Sequence, residues 1–143
     1  MRIGIDARMI DNTGIGRYLR NLLVHIARLD THNTYIVFLN AENSRVVEQE
    51  NVQFVPLKLS VPLYSLREQW WLPWEIHKWK LDLIHYPNFD LPLIPLYPSI
   101  VTIHDLIYYL YPDQCPSKLA HYYARFMLRQ ATRQARLLIT DSE

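Results

Sequence analysis

The chain has 143 residues and a mass of 17.1 kDa, which is the size of one domain. Half of its residues are hydrophobic and its net charge is +1, so intrinsic disorder and a globally basic nucleic-acid-binding protein are both excluded. One cysteine allows no intrachain disulfide, and without a long apolar run we expect neither a membrane span nor a secretory signal.

Short apolar segments alternate with helical patterns along the whole chain. The predicted strands are 2–6, 34–39, 52–55, 83–86, 99–104 and 137–140. Apolar residues recur at helical spacing over 15–29, 64–80 and 117–135. The predicted strands are apolar throughout, which is typical of strands covered on both faces. The pattern therefore predicts an α/β domain with a Rossmann-like, doubly wound and mainly parallel sheet.

Local signals set the expected ends of the helices. Asn12 or Thr13 is expected to cap the first helix, and Ser117 the last one, because short polar side chains accept hydrogen bonds from the first free amides. Pro73 is expected to kink the middle helix or begin a new segment, since proline lacks the amide hydrogen. Residues 41–51 form a polar loop with a short helical turn.

Polar residues collect where the predicted strands end. In open parallel sheets, ligands bind outside the carboxyl ends of the strands. The candidates at these ends are residues 6–17 after the first strand and Tyr86, Pro87, Asn88, His104, Asp105, Asp141, Ser142 and Glu143 after the later strands. We expect them to line one rim of the sheet.

A glycine-containing loop opens the first helix. Gly14, Ile15, Gly16 and Arg17 would present backbone amides and a cation to an anion such as a phosphate group. The third glycine of the dinucleotide-binding fingerprint is missing, because Leu19 takes its place. From the residues alone, a plain tight turn is an equal alternative.

The residues His104 and Asp105 follow a buried strand. The imidazole could donate a hydrogen bond to a substrate hydroxyl or phosphate, and the adjacent carboxylate could orient it. The alternative is a core histidine bonded to the backbone, and this alternative is stronger for His85. The spacing of histidines and carboxylates predicts no metal site.

Two further patterns have both a structural and a functional interpretation. Arg125, Arg129 and Arg133 are four residues apart, with His121 extending the row, so this face could meet anionic lipid or a phosphorylated acceptor. The alternative is a solvated basic face. Four tryptophans exceed what one core stripe needs, so part of the group is expected to be exposed. They are Trp70, Trp71, Trp74 and Trp79.

Six segments, in order along the chain, carry a family resemblance. They are 3–8, 13–18, 68–73, 82–85, 101–106 and 135–143. Together they resemble the start of a retaining, GT-B-fold glycosyltransferase of family 4. The resemblance implies two Rossmann-like domains that face each other across a cleft. Residues 1–143 would be the N-terminal, acceptor-side domain, and the C-terminal domain that holds the nucleotide sugar is absent from this chain.

The resemblance also implies roles for the candidate residues. The loop 14–17 would approach the donor diphosphate, and His104 would contact the sugar or assist its transfer, with Asp105 beside it. Tyr86 and Asn88 would line the acceptor cleft. Ser142 and Glu143 would lie near the crossover to the second domain.

The implied reaction moves a hexose from a UDP- or GDP-sugar to a glycan or lipid-linked acceptor with retention, in cell-surface polysaccharide synthesis. Neither a metal nor another cofactor is expected, and nucleic acid is not an expected partner. The expected location is cytoplasmic and peripheral at the inner face of the membrane. The isolated chain is expected to bind donor weakly and to be inactive.

Two other functions stay open at this point. One is a non-catalytic α/β module that binds sugar or phosphate. The other is a dinucleotide-binding oxidoreductase domain, which is less favoured because the second predicted strand ends in Asn40 instead of an acidic residue.

Overall fold

The computed structural model describes residues 1–40, 46–57, 64–65 and 67–141. Within these residues the strands are β1 (Arg2–Asp6), β2 (Thr34–Leu39), β3 (Val52–Pro56), β4 (Leu83–Tyr86), β5 (Ser99–Ile103) and β6 (Leu137–Thr140). The helices are α1 (Gly14–Leu29), α2 (Glu68–His77), α3 (Ile107–Leu110) and α4 (Lys118–Gln134), with one 3-10 turn at Pro112–Gln114. All the predicted strands are confirmed, with ends that differ by at most one residue.

The strands form one parallel sheet in the order β3-β2-β1-β4-β5-β6. The order reverses between β1 and β4, which pair with Ile3 opposite Leu83 and Ile5 opposite His85. The predicted Rossmann-like α/β fold is confirmed. Because all strands run the same way, their carboxyl ends share one rim, where open α/β sheets bind ligands.

The sheet is buried on both faces, and β2 shows how. Ile36 and Phe38 pack in one apolar cluster, whereas Val37 and Leu39 pack in the other. Side chains alternate across a strand, so an apolar run must be covered from both sides. Helix α1 covers one face through Leu19, Leu23 and their neighbours. Helices α2 and α4 cover the opposite face through Leu72, Ile76, Met127 and Leu128.

The helix ends confirm some expectations and correct others. Ser117 caps α4, because its Oγ accepts a hydrogen bond from the Ala120 amide at 3.1 Å. Thr13 precedes α1, but its side chain makes no capping hydrogen bond, so the expected cap by Thr13 is wrong. Helix α2 is shorter than predicted and continues through Pro73 instead of restarting there. Pro73 lies in the interior of α2, where its missing amide removes one intrahelical hydrogen bond.

Some elements fall outside the predictions. Helix α3 and the 3-10 turn lie in the proline-bounded segment before α4, where no helix was predicted. Residues 41–45, part of the predicted polar loop and turn, lie outside the described residues.

The tryptophans divide between core and surface. Trp70 and Trp74 are 76% and 64% exposed, whereas Trp71 and Trp79 pack against the core. The expected exposure of part of this group is confirmed. Among the residues that the structure describes, no helix combines the length and apolar character needed to cross a membrane.

Candidate functional site

The start of α1 and the end of β5 meet at the same rim of the sheet. The Tyr18 hydroxyl lies 3.1 Å from Thr102 Oγ1, in hydrogen-bonding contact. The Tyr18 ring also packs edge-on against the His104 ring, with centroids 4.9 Å apart. Tyr18 is one turn or less from the glycine loop, so this loop and His104 border one region.

Both ring nitrogens of His104 are engaged. Nε2 lies 2.9 Å from the Pro87 carbonyl oxygen, and Nδ1 lies 2.7 Å from Asp141 Oδ2. A carbonyl oxygen can only accept, so Nε2 carries a hydrogen. Nδ1 makes the second contact, with the Asp141 carboxyl group. The His104 ring is thus held at the rim from both sides.

The carboxylate beside His104 in space is not the one beside it in sequence. Asp105 was expected to orient the imidazole, but its Oδ1 accepts a hydrogen bond from the Ile107 amide at 2.9 Å and so fixes the start of α3. Asp141, at the end of β6, takes the orienting position instead. The Asp105 side chain thus bonds its own backbone instead of the imidazole.

A second histidine lies behind the rim. His85 Nε2 is 2.8 Å from Thr102 Oγ1, which also contacts Tyr18. Burial, followed by the nearby His104, lowers the pKa of His85 to about 4. His85 is therefore neutral at physiological pH. His85 thus matches the alternative of a core histidine. It contacts the Thr102 hydroxyl, which in turn contacts the Tyr18 hydroxyl.

A shallow cleft of about 490 Å³ lies in front of these groups. Its lining includes Gly14, Arg17, Tyr18, Asn21 and Asp141. Gly14 and Arg17 are exposed, so the cleft offers a helix start and a cation to an anion. The Asp141 carboxyl group lies on the same wall and contacts His104 Nδ1 at 2.7 Å.

The two glycines of the loop have different roles. A Cβ on Gly14 would meet no atom within 4 Å. A Cβ on Gly16 would lie 2.9 Å from the carbonyl carbon of Ile10 and closer still to its oxygen. Gly16 is buried, and Ile15 is half-buried against the core. The small size of Gly16 thus lets α1 pack on the loop after β1, and a role in phosphate approach is left to Gly14 and Arg17.

Tyr86 and Asn88 do not face the cleft. Both are buried, and Tyr86 packs in the core beneath α2 and α4. Asn88 Nδ2 donates a hydrogen bond to the Tyr64 hydroxyl at 2.7 Å, and Asn88 Oδ1 accepts one from the Phe89 amide. The structure thus buries both side chains, and their role at an acceptor cleft stays a prediction. The chain after β4 turns inward, and these side chains support the rim from below.

A buried acid cluster, made of Asp6, Arg8, Glu68 and Asp90, lies at the reversal of strand order. Arg8 donates from Nε and Nη2 to the two Asp6 oxygens at 2.8 and 2.7 Å and also pairs with Glu68. Burial raises the pKa of Glu68 to about 8 against the opposing effect of Arg8, and burial also raises that of Asp90. One cation cannot neutralise three buried carboxylates, so protons are retained there at neutral pH.

Sequence reasoning placed Asp6 and Asp141 at the strand ends but missed the cluster and the contact of Asp141 with His104. One signal was present, because Asp6 and Arg8 are two residues apart at the end of an extended strand and so share a side of the chain. Glu68 and Asp90 are too distant in sequence to be joined to this pair without the fold. A remaining cavity of about 10 Å³, bordered by Asp6, Arg8 and Asp90, is the size of about one water molecule.

The predicted basic face of α4 is only partly present. Arg129 and Arg133 are exposed, but the Arg125 guanidinium lies over the Tyr109 ring, 4.9 Å from its centroid. His121 is buried, and its Nδ1 donates to the Tyr108 carbonyl oxygen at 2.8 Å, so the extension of the row to His121 is wrong. A helix face repeats every 3.6 residues, and a strict spacing of four drifts from the surface towards the core.

The last two candidate residues, Ser142 and Glu143, lie outside the described residues. In the parts of the chain that the structure covers, no group of three or more histidine, cysteine or acidic side chains is arranged to hold a metal ion. The expected independence from metal stays a prediction.

Comparison with known proteins gives one match. The family model described as Glycosyltransferase Family 4 matches residues 12–143. A search of curated proteins gives no match. The matched range includes α1, the rim around His104 and the whole of α4.

Proposed function

Because the chain belongs to Glycosyltransferase Family 4, as the N-terminal half of a GT-B fold, we propose that it forms the acceptor side of a hexosyltransferase. The enzyme transfers a hexose from a UDP- or GDP-sugar to a glycan or lipid-linked acceptor, with retention of the anomeric configuration. A second domain, not included in this sequence, holds the nucleotide. The proposed setting is cell-surface polysaccharide synthesis at the cytoplasmic face of the membrane.

One observation carries this proposal. The exposed residues Gly14 and Arg17 line one cleft together with Tyr18 and Asp141, which come from opposite ends of the chain. His104 contacts two of these lining residues, the Tyr18 ring and the Asp141 carboxyl group. A site that gathers a helix start, a cation and a histidine held by a carboxyl group suits a substrate in which negative charge develops.

These residues can stabilise a departing diphosphate. As the bond between the sugar and the diphosphate breaks, negative charge grows on the phosphate oxygens, and the start of α1 at Gly14 and the Arg17 guanidinium line the cleft where they can receive it. His104 is oriented by Pro87, which accepts the hydrogen bond from Nε2, and by Asp141 at Nδ1. The incoming acceptor hydroxyl forms the new bond to the sugar, and its proton leaves with the diphosphate.

Ligand binding by the chain itself separates the proposal from its alternatives. Thermal unfolding is measured with UDP-glucose, GDP-mannose, NAD and the free sugars glucose and mannose at equal concentrations. We expect a small rise in Tm with a nucleotide sugar and none with NAD, because ligands raise Tm by binding the folded state. A rise with NAD alone would favour an oxidoreductase, and a rise with free sugars alone a non-catalytic module. Steady transfer from labelled donor by this chain alone would contradict the division into two domains.

The role of His104 is tested in protein that also carries the nucleotide-binding domain. His104→Ala should lower transfer by about 10²- to 10³-fold, the scale of a lost charge-stabilising group. The matched control is His32→Ala, because His32 is an exposed histidine just before β2, at the opposite end of the strands. Unchanged transfer by His104→Ala, with Tm also unchanged, would remove His104 from the site.

A further inference from the structure

A cavity of about 550 Å³ lies between the segment after β4, helix α3 and the start of α4. This volume falls within the range of about 300–1,000 Å³ that is usual for small-molecule sites. Its walls are almost entirely apolar and include Tyr64, Phe89, Tyr108, Leu119, Tyr123 and Ala124. A cavity of this size and character fits a hydrocarbon chain better than a sugar, which needs many hydrogen bonds.

Hydrogen bonds hold the tyrosine walls in place. The Tyr64 hydroxyl accepts from Asn88 Nδ2 at 2.7 Å, and the Tyr64 amide donates to Asp90 at 3.1 Å. The Tyr123 hydroxyl donates to the other Asp90 oxygen at 2.7 Å. These polar atoms are therefore already engaged, and the rings offer carbon surface. Because the walls are fixed before a ligand arrives, binding costs less ordering entropy.

The exposed face of α4 beside the cavity is apolar in its first half and basic in its second half. The exposed face of α4 carries Leu119, Tyr122, Phe126, Arg129 and Arg133, at alternating spacings of three and four. Helix α3 and its flanks add further exposed apolar side chains, which are Leu106, Ile107, Tyr108, Leu110 and Tyr111. An exposed apolar patch with a basic border complements a lipid that has an apolar chain and an anionic headgroup.

The charges facing this surface favour an anion. Helix α4 contains Lys118, Arg125, Arg129 and Arg133 and no acidic residue. The acidic residues of the preceding segment are Asp105, whose carboxylate bonds the Ile107 amide, and Asp113 in the 3-10 turn. The helix that borders the cavity is thus uniformly basic.

Residues that line the cavity are close in sequence to the His104 region. Phe89 lines the cavity, and Pro87, two residues earlier, accepts the hydrogen bond from His104 Nε2. Tyr108, four residues after His104, also lines the cavity. A cavity built from residues this near to His104 suits a ligand whose polar end reaches that rim.

We propose that this cavity receives the hydrocarbon chain of an anionic lipid and that this lipid is the sugar acceptor. This inference rests on the proposed function, because it assigns the cavity to the acceptor side of the same site. It selects the lipid-linked class of acceptor over the soluble glycan class. The face of α3 and α4 contacts the membrane from which the lipid is drawn.

The first test measures binding of alkyl phosphates to the chain by calorimetry, below their micelle concentrations. Hexyl, octyl and decyl phosphate are compared with inorganic phosphate. Affinity should rise about fourfold for each added methylene, as expected for burial of a hydrocarbon chain, until the cavity is full. Inorganic phosphate should bind far more weakly. Equal affinity for all chain lengths would overturn the proposal.

A second test fills the cavity. Ala120→Leu adds three heavy atoms at a lining residue that is half-buried. This variant should bind decyl phosphate at least tenfold more weakly, while its Tm stays close to that of the wild type. Thr132→Leu is the matched control, because it places the same side chain at an exposed position on the same helix. Equal binding by both variants would overturn the assignment of the cavity. If Ala120→Leu does not fold, the chain-length series in the wild type still decides the question.

Vesicles and oligomeric state identify other occupants of this surface. Binding to phosphatidylglycerol vesicles without binding of monomeric decyl phosphate would mean surface contact alone, and dimerisation in light scattering without lipid binding would mean that a second copy covers the patch. Either result overturns the proposal.

None of these measurements needs a sugar donor. If lipid binds but the two-domain protein transfers no sugar to any acceptor, the proposed function fails, and the assignment of the cavity as an acceptor site fails with it. If the protein transfers sugar to a soluble acceptor and binds no lipid, only this inference is refuted.

Discussion

The packing of α1 against the loop after β1 depends on a glycine at position 16. Gly16 is buried, and its amide donates a hydrogen bond to the Asn12 carbonyl oxygen at 3.1 Å. In Gly16→Ala, the new Cβ would lie 2.9 Å from the carbonyl carbon of Ile10 and 3.3 Å from the carbonyl oxygen of Met9. These are backbone atoms, so they cannot rotate away as a side chain can.

The size of the effect follows from two opposing contributions. Overpacking a tight contact costs about 1–3 kcal/mol, and contact with backbone belongs at the upper end of that range. Replacing glycine by alanine inside a helix stabilises it by about 1 kcal/mol. We therefore expect Gly16→Ala to lower the free energy of unfolding by about 1–2 kcal/mol. For a chain of this length, the corresponding loss in Tm is about 3–8 °C.

Gly14→Ala is the matched control for this measurement. Gly14 is exposed at the first position of α1, and an added Cβ would meet no atom within 4 Å. Its stability should equal or slightly exceed that of the wild type. The assay is urea denaturation of the three proteins, followed by circular dichroism. If Gly16→Ala is as stable as the wild type, or if both variants lose the same stability, the packing argument is refuted.

Further predictions concern protons and helix capping. In the wild type, stability should fall by up to about 2 kcal/mol as the pH rises from 6.5 to 8, because folded Glu68, with a pKa of about 8, keeps a proton that the unfolded chain has lost. Urea titrations should show no such fall for Glu68→Gln, and an equal slope in both proteins would contradict the assignment. Between pH 6.5 and 4.5, Glu68→Gln should lose stability as the pH falls. The unfolded chain protonates His85 in this range, whereas folded His85, with a pKa of about 4, stays neutral. A stability that does not change with pH would show that His85 does not keep this low pKa in the folded protein. Ser117→Ala should lower the free energy of unfolding by about 1 kcal/mol in the same assay, because α4 loses its cap. Ser117→Asp should retain most of the stability. Equal losses in the two variants would show that the hydrogen bond to Ala120 does not contribute.

Periodicity was enough to predict most of the fold. The strands were placed to within one residue because an apolar run such as that of β2 can be buried only between two layers. The long helices α1 and α4 were equally clear, since one face of each is apolar over several turns. The shared rim of the parallel strands also followed, and with it the nearness of the glycine loop to His104.

The amino-acid sequence by itself therefore determined the layers, the parallel sheet and the rim where the candidate site lies. The tertiary structure decided the partners: Asp141 beside His104, Glu68 and Asp90 around Arg8, and the tyrosine walls of the apolar cavity. It also shows that Tyr86 and Asn88, which were expected at the cleft, are buried. The physical reason is that periodicity reports which face of an element is buried, whereas pairing depends on how distant elements pack and on where each loop turns its side chains.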